Sequence, residues 1–280
     1  MSAKESGKFF RRMLARKSLY LCSLIISLLP RKWLYGFADI VSALAYRIAA
    51  KQRKIALESL GMAFGPALAV KEKEGIAREC FRNMARSGVE VLSILERPEI
   101  AGELAIIEGR ERLDKALSKG KGVIAVSAHF GNFPLALTCL RQQGYRVNVI
   151  LRRMRDDQVE EFLEKRRRRI GVSFIHSTPR TACVDSSLKA LRNNELLFIQ
   201  LDQNFGTAGV FVNFFGREAA TATGPVVLAL RTEAPVVPLF IVRGKNNRHK
   251  ILIEEPLEIE KKDTQEETLR FNIQKITSVI

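Results

Sequence analysis

The chain has 280 residues, 46% hydrophobic content and a formal net charge of +16. This is enough for one large α/β domain or two small ones, and the charge favours anionic partners such as nucleic acid, anionic lipid or an acidic protein. Its four cysteines and three histidines lack metal-ligand spacing, so we predict neither a metal site nor a disulfide framework, and the scattered thiols fit a reducing compartment.

The first predicted element is an uncharged segment behind a basic N-terminus. Residues 18–30, "SLYLCSLIISLLP", follow six lysines and arginines, and a second apolar stretch at 33–46 is interrupted by Asp39. The first segment is shorter than the ~20 residues that a transmembrane helix needs.

Three interpretations of this N-terminus remain open. They are a pair of interfacial helices whose cations meet anionic headgroups, a short single span, and a signal peptide with the cleavage-like sequence 43–45. The interfacial pair places no charge inside the bilayer, and we prefer it. Residues 1–50 are therefore predicted to be a membrane-associated helical segment.

Residues 51–97 have a helical pattern punctuated by Pro66 and Pro98, and from residue 104 onward strands and helices alternate. Such alternation predicts a mixed, largely parallel central sheet flanked by helices. We expect residues 51–280 to form a single α/β domain. The predicted strands are 123–127, 146–151, 172–176, 196–201, 210–215, 236–242 and 250–254. The predicted helices are 133–143, 156–169, 180–193, 222–232 and 265–279.

Two polar residues follow predicted strands at the edge where open α/β sheets bind ligands. His129 comes after the strand 123–127, and Asp202 comes after "LLFIQL". A lone histidine at a strand end is often structural, and an aspartate in a glycine-containing loop is often a turn residue. Their shared position at one edge of the sheet makes them the candidate site.

The residues around these two also have structural and functional interpretations. Gly131-Asn132 opens a helix whose N–H groups could bind an oxyanion, and Pro134 is tolerated in the first turn of that helix. Further along, the phenylalanines 211, 214 and 215 form ordinary core or an apolar groove. Thr223 is predicted to cap the next helix, with Pro225 in its first turn.

An arginine-rich helix lies between the two candidate residues. The segment 152–171, "RRMRDDQVEEFLEKRRRRIG", has an apolar stripe, so most of its cations should face solvent. A guanidinium is nevertheless suited to phosphate groups, and one member of the run could turn inward.

These segments resemble the bacterial lipid A biosynthesis acyltransferase family. The resemblance rests on "SAHFGNFPLAL", "EKRRRRIGVSFI" and, most specifically, "LLFIQLDQN" with "GVFVNFFGREAATATGPVVLALRTEAPVVPLF". It covers about residue 10 to the end, and because members usually run further, we expect Ile280 to be an early stop. The family resemblance implies a glycerolipid-acyltransferase-like fold.

The family motif is a histidine followed, after four residues, by an acid. His129 matches the histidine, whereas Pro134 stands at the position of the acid. The resemblance assigns the essential aspartate to Asp202 and the essential arginine to Arg167, with Arg169 possible because the run blurs the register. It also implies substrate contacts, which we assign to Gly131, Asn132, Arg169, Gln203, Phe214, Phe215 and Thr223.

The resemblance implies acyl transfer from acyl carrier protein, or coenzyme A, to an anionic glycolipid or phospholipid at the cytoplasmic face of the inner membrane, without a cofactor. His129 would be the general base. Without the motif acid, either activity is low or another group replaces it, with Asp202 our first candidate and a main-chain carbonyl or a water next. A weakly catalytic lipid- or carrier-binding homologue and an acyl thioesterase remain alternatives. The only feature that suggests nucleic-acid binding is the positive charge, so we do not predict a nucleic-acid partner.

Overall fold

A computed structural model describes residues 3–206 and 209–280 of the chain, except the side chains of residues 3–12, 14, 15 and 31. Most of the basic flank of the predicted membrane arm, at positions 4–12 and 31, therefore lies outside the described side chains. The predicted fold class is confirmed, since helices flank a mixed, largely parallel sheet.

The helices of the described residues are α1 (Ala3–Leu28), α2 (Arg31–Ile48), α3 (Ala50–Phe64), α4 (Val70–Glu96), α5 (Ala101–Leu104), α6 (Arg110–Leu117), α7 (Phe133–Gln142), α8 (Asp157–Ile170), α9 (Arg180–Arg192), α10 (Gly224–Thr232) and α11 (Gln265–Val279). The strands are β1 (Ala105–Glu108), β2 (Val123–Ser127), β3 (Val147–Leu151), β4 (Ser173–His176), β5 (Leu196–Gln200), β6 (Val210–Phe214), β7 (Arg217–Thr221), β8 (Val236–Arg243) and β9 (His249–Ile253).

The chain forms two compact units. The first contains α1 to α4, as far as Pro98, together with residues 155–166. The second contains residues 99–154 and 167–280. The boundary that we predicted at residue 50 coincides with the start of α3, inside the first unit. Within the described residues, none of the helices has the length and apolar character needed to traverse a bilayer.

The helical unit is built around the contact between α2 and α4. Leu34 and Ala38 of α2 are buried with Val89 of α4 and Ile26 of α1. An α-helix that packs one face against a partner has apolar residues every three or four positions, which explains the spacing of Leu34 and Ala38 along α2. The polar residue Asp39, which interrupts the apolar sequence, faces α4 and is bonded there by arginines.

The second unit is organised by a seven-stranded sheet with the order β1-β9-β8-β2-β5-β3-β4. The strands β8, β2, β5, β3 and β4 are parallel, and β9 pairs antiparallel with β8 and parallel with β1. All five residues of β2 are buried. A central parallel strand is covered on both faces, which explains its continuous apolar sequence.

Most predicted strands agree with the structure to within one residue, and β2 has the predicted limits. The predicted strand 210–215 is one residue too long, because Phe215 has a positive φ of 51° and begins the turn of the β6–β7 hairpin. The predicted helix start at 222 is also wrong, because β7 continues to Thr221 and α10 begins at Gly224. Neither β1 nor β7 was predicted.

Candidate active site

The register between β2 and β5 brings His129 and Asp202 together. These strands are parallel neighbours with Ser127 opposite Gln200. Just beyond them, the N–H of Leu201 donates to the carbonyl of Ser127 over 3.0 Å. The two chains therefore leave the sheet at the same edge and in the same direction. His129 and Asp202, each two residues past its strand, lie side by side.

Both carboxylate oxygens of Asp202 contact His129. The imidazole Nδ1 lies 2.8 Å from Oδ1, and the backbone N–H of His129 donates to Oδ2 over 2.9 Å. A carboxylate only accepts hydrogen bonds, so Nδ1 carries a proton and Nε2 of the neutral ring has the free lone pair. The His129 side chain is 41% exposed and that of Asp202 is 21% exposed. The ring therefore lies at an open edge of the sheet and is accessible to a reactant.

Gln203 contacts the other side of the imidazole. Its side-chain Nε2 lies 3.3 Å from Nε2 of His129. Because the ring nitrogen has the lone pair, the amide N–H of Gln203 donates to it. This geometry brings Gln203, which we had assigned to substrate contact, against the imidazole of His129, the predicted general base.

The loop after His129 requires a glycine. Gly131 has a φ of +62°, and a Cβ at this residue would lie 1.9 Å from the carbonyl oxygen of Ile241 in β8. Both the backbone conformation and the close approach exclude other side chains. Asn132 is buried and caps α7, accepting the N–H of Leu135 through its side-chain oxygen over 3.3 Å. These two residues position the histidine loop; their assignment to substrate contact stays a prediction.

The start of α7 explains how Pro134 is accommodated. Pro134 lies in the first turn, where a missing N–H costs little, and its carbonyl accepts the Thr138 hydroxyl over 2.8 Å. Pro134 has no N–H, and the N–H of Leu135 donates to the side chain of Asn132. Of the first three residues of α7, Phe133 is therefore the one whose N–H could donate to an oxyanion. The family's acid position is thus structural here, and Asp202 makes the bond that orients the ring.

The predicted arginines lie in the last turn of α8, beside a different strand from those that carry His129 and Asp202. The guanidinium of Arg167, in the last turn of α8, lies 5.2 Å from the ring centroid of Phe174 in β4. β4 is three strands from β2 in the sheet order, which corresponds to about 14 Å at a strand spacing of about 4.8 Å. Arg169 is exposed in the same turn. A catalytic or binding role for either arginine stays a prediction.

The remaining predicted residues belong to the β6–β7 hairpin and to the start of α10. Phe214 and Phe215 pack edge to face at the hairpin tip, with ring centroids 4.8 Å apart. Thr223 is at the N-cap position of α10 and Pro225 is in the first turn, as predicted, but the Thr223 side chain makes no capping hydrogen bond. The loop after Asp202 is tied to the hairpin, because the N–H of Phe205 donates to the carbonyl of Ala220 over 2.8 Å.

The sequence matches the model of the bacterial lipid A biosynthesis acyltransferases over residues 9–280. The chain belongs to this family. The resemblance noted from the motifs is thereby confirmed, and in the structure His129 of the first motif contacts Asp202 and Gln203 of another.

Curated relatives carry related names. A phosphatidylinositol mannoside acyltransferase from Mycobacterium tuberculosis (strain H37Rv) is 26% identical over 134 residues, which is 48% of this chain and 42% of that protein. A lipid A biosynthesis acyltransferase from Haemophilus influenzae is 26% identical over 195 residues, 69% of this chain and 60% of that protein. The matched regions thus span about half the length of these curated relatives.

One solved structure is similar over much of its length. The 1-acyl-sn-glycerophosphate acyltransferase PlsC from Thermotoga maritima aligns with a TM-score of 0.39 and 14% identity, covering 86% of this chain and 94% of the other.

Two features of the site were not found from sequence. The backbone carbonyl of Ile241 lies close against Gly131, a proximity between segments more than 100 residues apart that no local pattern reveals. The contact of Gln203 with the imidazole was also missed. Its position next to Asp202, just beyond a strand end, was the available signal.

Proposed function

We propose that this chain transfers a fatty acyl group from a thioester of acyl carrier protein, or of coenzyme A, to a hydroxyl of a lipid A precursor or a related bacterial lipid. The contact of 2.8 Å between His129 Nδ1 and Asp202 Oδ1 carries the proposal. It leaves Nε2 as an accessible base and supplies the carboxylate that the motif lacks at Pro134.

In the proposed reaction, Nε2 of His129 removes the proton of the acceptor hydroxyl while its oxygen attacks the thioester carbonyl carbon. The Phe133 N–H stabilises the resulting oxyanion, and Asp202 stabilises the imidazolium. When the intermediate collapses, the carbon–sulfur bond breaks and the thiolate takes the proton from His129. The products are a new ester and a free thiol.

The family and the charge of the chain support the proposed class of acceptor. The relatives are named for lipid A and for phosphatidylinositol mannoside, which supports a glycolipid hydroxyl as the acceptor. The formal net charge of +16 favours an anionic lipid and an acidic carrier protein over neutral partners.

The helical unit supports delivery of the enzyme to a membrane surface. Large apolar side chains are exposed on α1 and α2, among them Leu24, Leu28, Trp33, Ile40 and Ile48. Exposed apolar side chains of this size and number are unusual on a soluble surface and are typical of interfacial helices. We therefore propose peripheral attachment through these helices, at the cytoplasmic face of the inner membrane.

Incubation of the purified full chain with labelled acyl carrier protein thioester, or acyl coenzyme A, and a bacterial lipid extract tests the proposal. We expect a new acylated lipid by mass spectrometry, and a loss of about 10²–10⁴-fold in His129→Ala, the range for general-base catalysis. His176→Ala, which changes an exposed histidine at the end of β4, is the matched control. Equal rates in the parent and His129→Ala would instead favour a binding homologue.

A further inference from the structure

The nitrogen that must accept the substrate proton is already hydrogen-bonded in the structure. Nδ1 of His129 is held by Asp202, so Nε2 is the basic atom, and the amide of Gln203 donates to it over 3.3 Å. An acceptor hydroxyl can reach this lone pair only by replacing the Gln203 amide. Gln203 therefore marks the place of the reacting oxygen.

The backbone around Gln203 is anchored on both sides. Asp202 precedes it and is held by its two contacts with His129. Phe205 follows it and donates to Ala220 of β7 over 2.8 Å, and the side chain of Asn204 accepts the N–H of Gly206 over 2.8 Å. The side chain of Gln203 is exposed, so it can turn away from the imidazole while its backbone stays in place.

The open position of the imidazole creates a problem of specificity. Because the His129 side chain is 41% exposed, water reaches the same edge of the sheet as a lipid hydroxyl. A base that removes a proton from an alcohol also does so from water. Water would then lose a proton to Nε2 as its oxygen attacks the thioester carbonyl. The carbon–sulfur bond would break, the thiolate would take the proton from His129, and a fatty acid and a free thiol would result.

We infer that Gln203 determines the choice between transfer and hydrolysis, by keeping Nε2 of His129 hydrogen-bonded until a lipid hydroxyl displaces its amide. A single water gains little by displacing a hydrogen bond of the same kind. A lipid acceptor has further contacts and brings its hydroxyl to the base with their binding energy. This inference rests on the proposed function, and it assigns to Gln203 a role in specificity that substrate contact alone does not include.

The first test is the ratio of fatty acid to acylated lipid formed by the full chain from a labelled acyl thioester and a bacterial lipid extract. We expect Gln203→Ala to raise this ratio about fivefold, which corresponds to about 1 kcal/mol for the lost hydrogen bond. Gln203→Met keeps the volume without the donor and should behave in the same way. Asn204→Ala, which removes a bond within the same loop, should keep the ratio of the parent.

The extra hydrolysis must depend on the base. The double variant His129→Ala/Gln203→Ala should therefore show none of it. A parent that acylates lipid, together with an unchanged ratio in both Gln203 variants, would overturn the role of Gln203 and leave the proposed function intact. A low ratio retained in Gln203→Met would also overturn it, because bulk rather than the hydrogen bond would then exclude water. A parent that forms neither lipid ester nor His129-dependent fatty acid would contradict the proposed function itself.

The second test does not depend on activity. Diethyl pyrocarbonate acylates unprotonated imidazole nitrogens, and its rate at each histidine can be followed by peptide mass spectrometry. Exposed His176 and buried His249 provide the fast and slow internal standards. We expect the rate at His129, relative to His176, to rise about fivefold in Gln203→Ala and in Gln203→Met, which corresponds to about 1 kcal/mol. An unchanged relative rate would show that Gln203 does not shield Nε2.

Discussion

Two aspartates, one in each compact unit, are bonded through both of their carboxylate oxygens. In the helical unit, Asp39 of α2 accepts four N–H groups from Arg82 and Arg86 of α4, over 2.7–3.0 Å. In the sheet unit, Asp202 accepts one ring N–H and one backbone N–H, both from His129. The two side chains are 32% and 21% exposed, respectively.

The difference lies in what the partner can do next. A guanidinium only donates hydrogen bonds and stays charged at any ordinary pH, so the arginines bonded to Asp39 have no basic atom to offer a reactant. This cluster serves to join α2 to α4. An imidazole has a second nitrogen, and the bond to Asp202 determines that this nitrogen is basic. The same kind of carboxylate contact therefore serves stability in one unit and, under the proposed function, reactivity in the other.

The largest effect is expected for Asp202→Asn. The backbone N–H of His129 can only donate, so the amide oxygen of Asn must face it and the NH₂ group must face the imidazole Nδ1. Nδ1 then has to accept, the proton moves to Nε2, and the ring can no longer act as a base. In the serine protease triad, the corresponding aspartate-to-asparagine change, which also produces the wrong tautomer, lowers the rate about 10⁴-fold. We therefore expect acyl transfer to fall about 10²–10⁴-fold, as in His129→Ala.

Thermal unfolding of Asp202→Asn should stay close to that of the parent, because the hydrogen-bonding positions remain occupied. Asp185→Asn, an equal change of charge on the exposed face of α9, is the control and should retain full activity. Transfer within a few-fold of the parent in Asp202→Asn would show that the carboxylate does not set the tautomer.

The opposite result is expected for Asp39→Asn, which should cost stability. Removal of the charge leaves two arginines facing a neutral amide. Since the cluster is partly exposed and screened, we expect a loss of about 1–2 kcal/mol in the free energy of unfolding, measured by urea denaturation at pH 7. Glu58→Gln, which breaks the exposed pair with Lys54, should cost far less.

The pH dependence provides a further check on Asp39. Its hydrogen bonds, first with Arg86 and then with Arg82, hold the pKa of this carboxyl well below its usual range. A carboxylate whose pKa is lowered by folding stabilises the protein above its unfolded pKa of about 4 and loses that contribution as the pH falls through the folded value. The stability difference between the parent and Asp39→Asn should therefore be complete at pH 7 and shrink below about pH 4. A difference that is constant down to pH 2 would exclude the ionic cause.

Sequence patterns predicted the site better where it depends on strand ends than where it depends on packing. The apolar run Val123–Ser127 is continuous because β2 is central, so its end, and hence the position of His129, could be read directly. The contact with Asp202 additionally required the register of β2 and β5. The position of Arg167 over Phe174 could not be predicted. Four consecutive arginines project from α8 in different directions, and tertiary packing alone determines which of them contacts a given residue.

The smallest effect concerns the apolar surface of the helical unit. Ile40 is 71% exposed on the side of α2 opposite the buried residues Leu34 and Ala38, so Ile40→Gln should leave stability almost unchanged. If α2 lies on a membrane, the same change should weaken binding of the full chain to phosphatidylglycerol-containing vesicles about fivefold, or about 1 kcal/mol, in a sedimentation assay. The control is Ile106→Gln, the same substitution at a 53% exposed position of β1 in the sheet unit. Equal vesicle binding by both variants would show that α2 is not the attachment surface. The two units would then differ in the role of their aspartates but not in membrane binding.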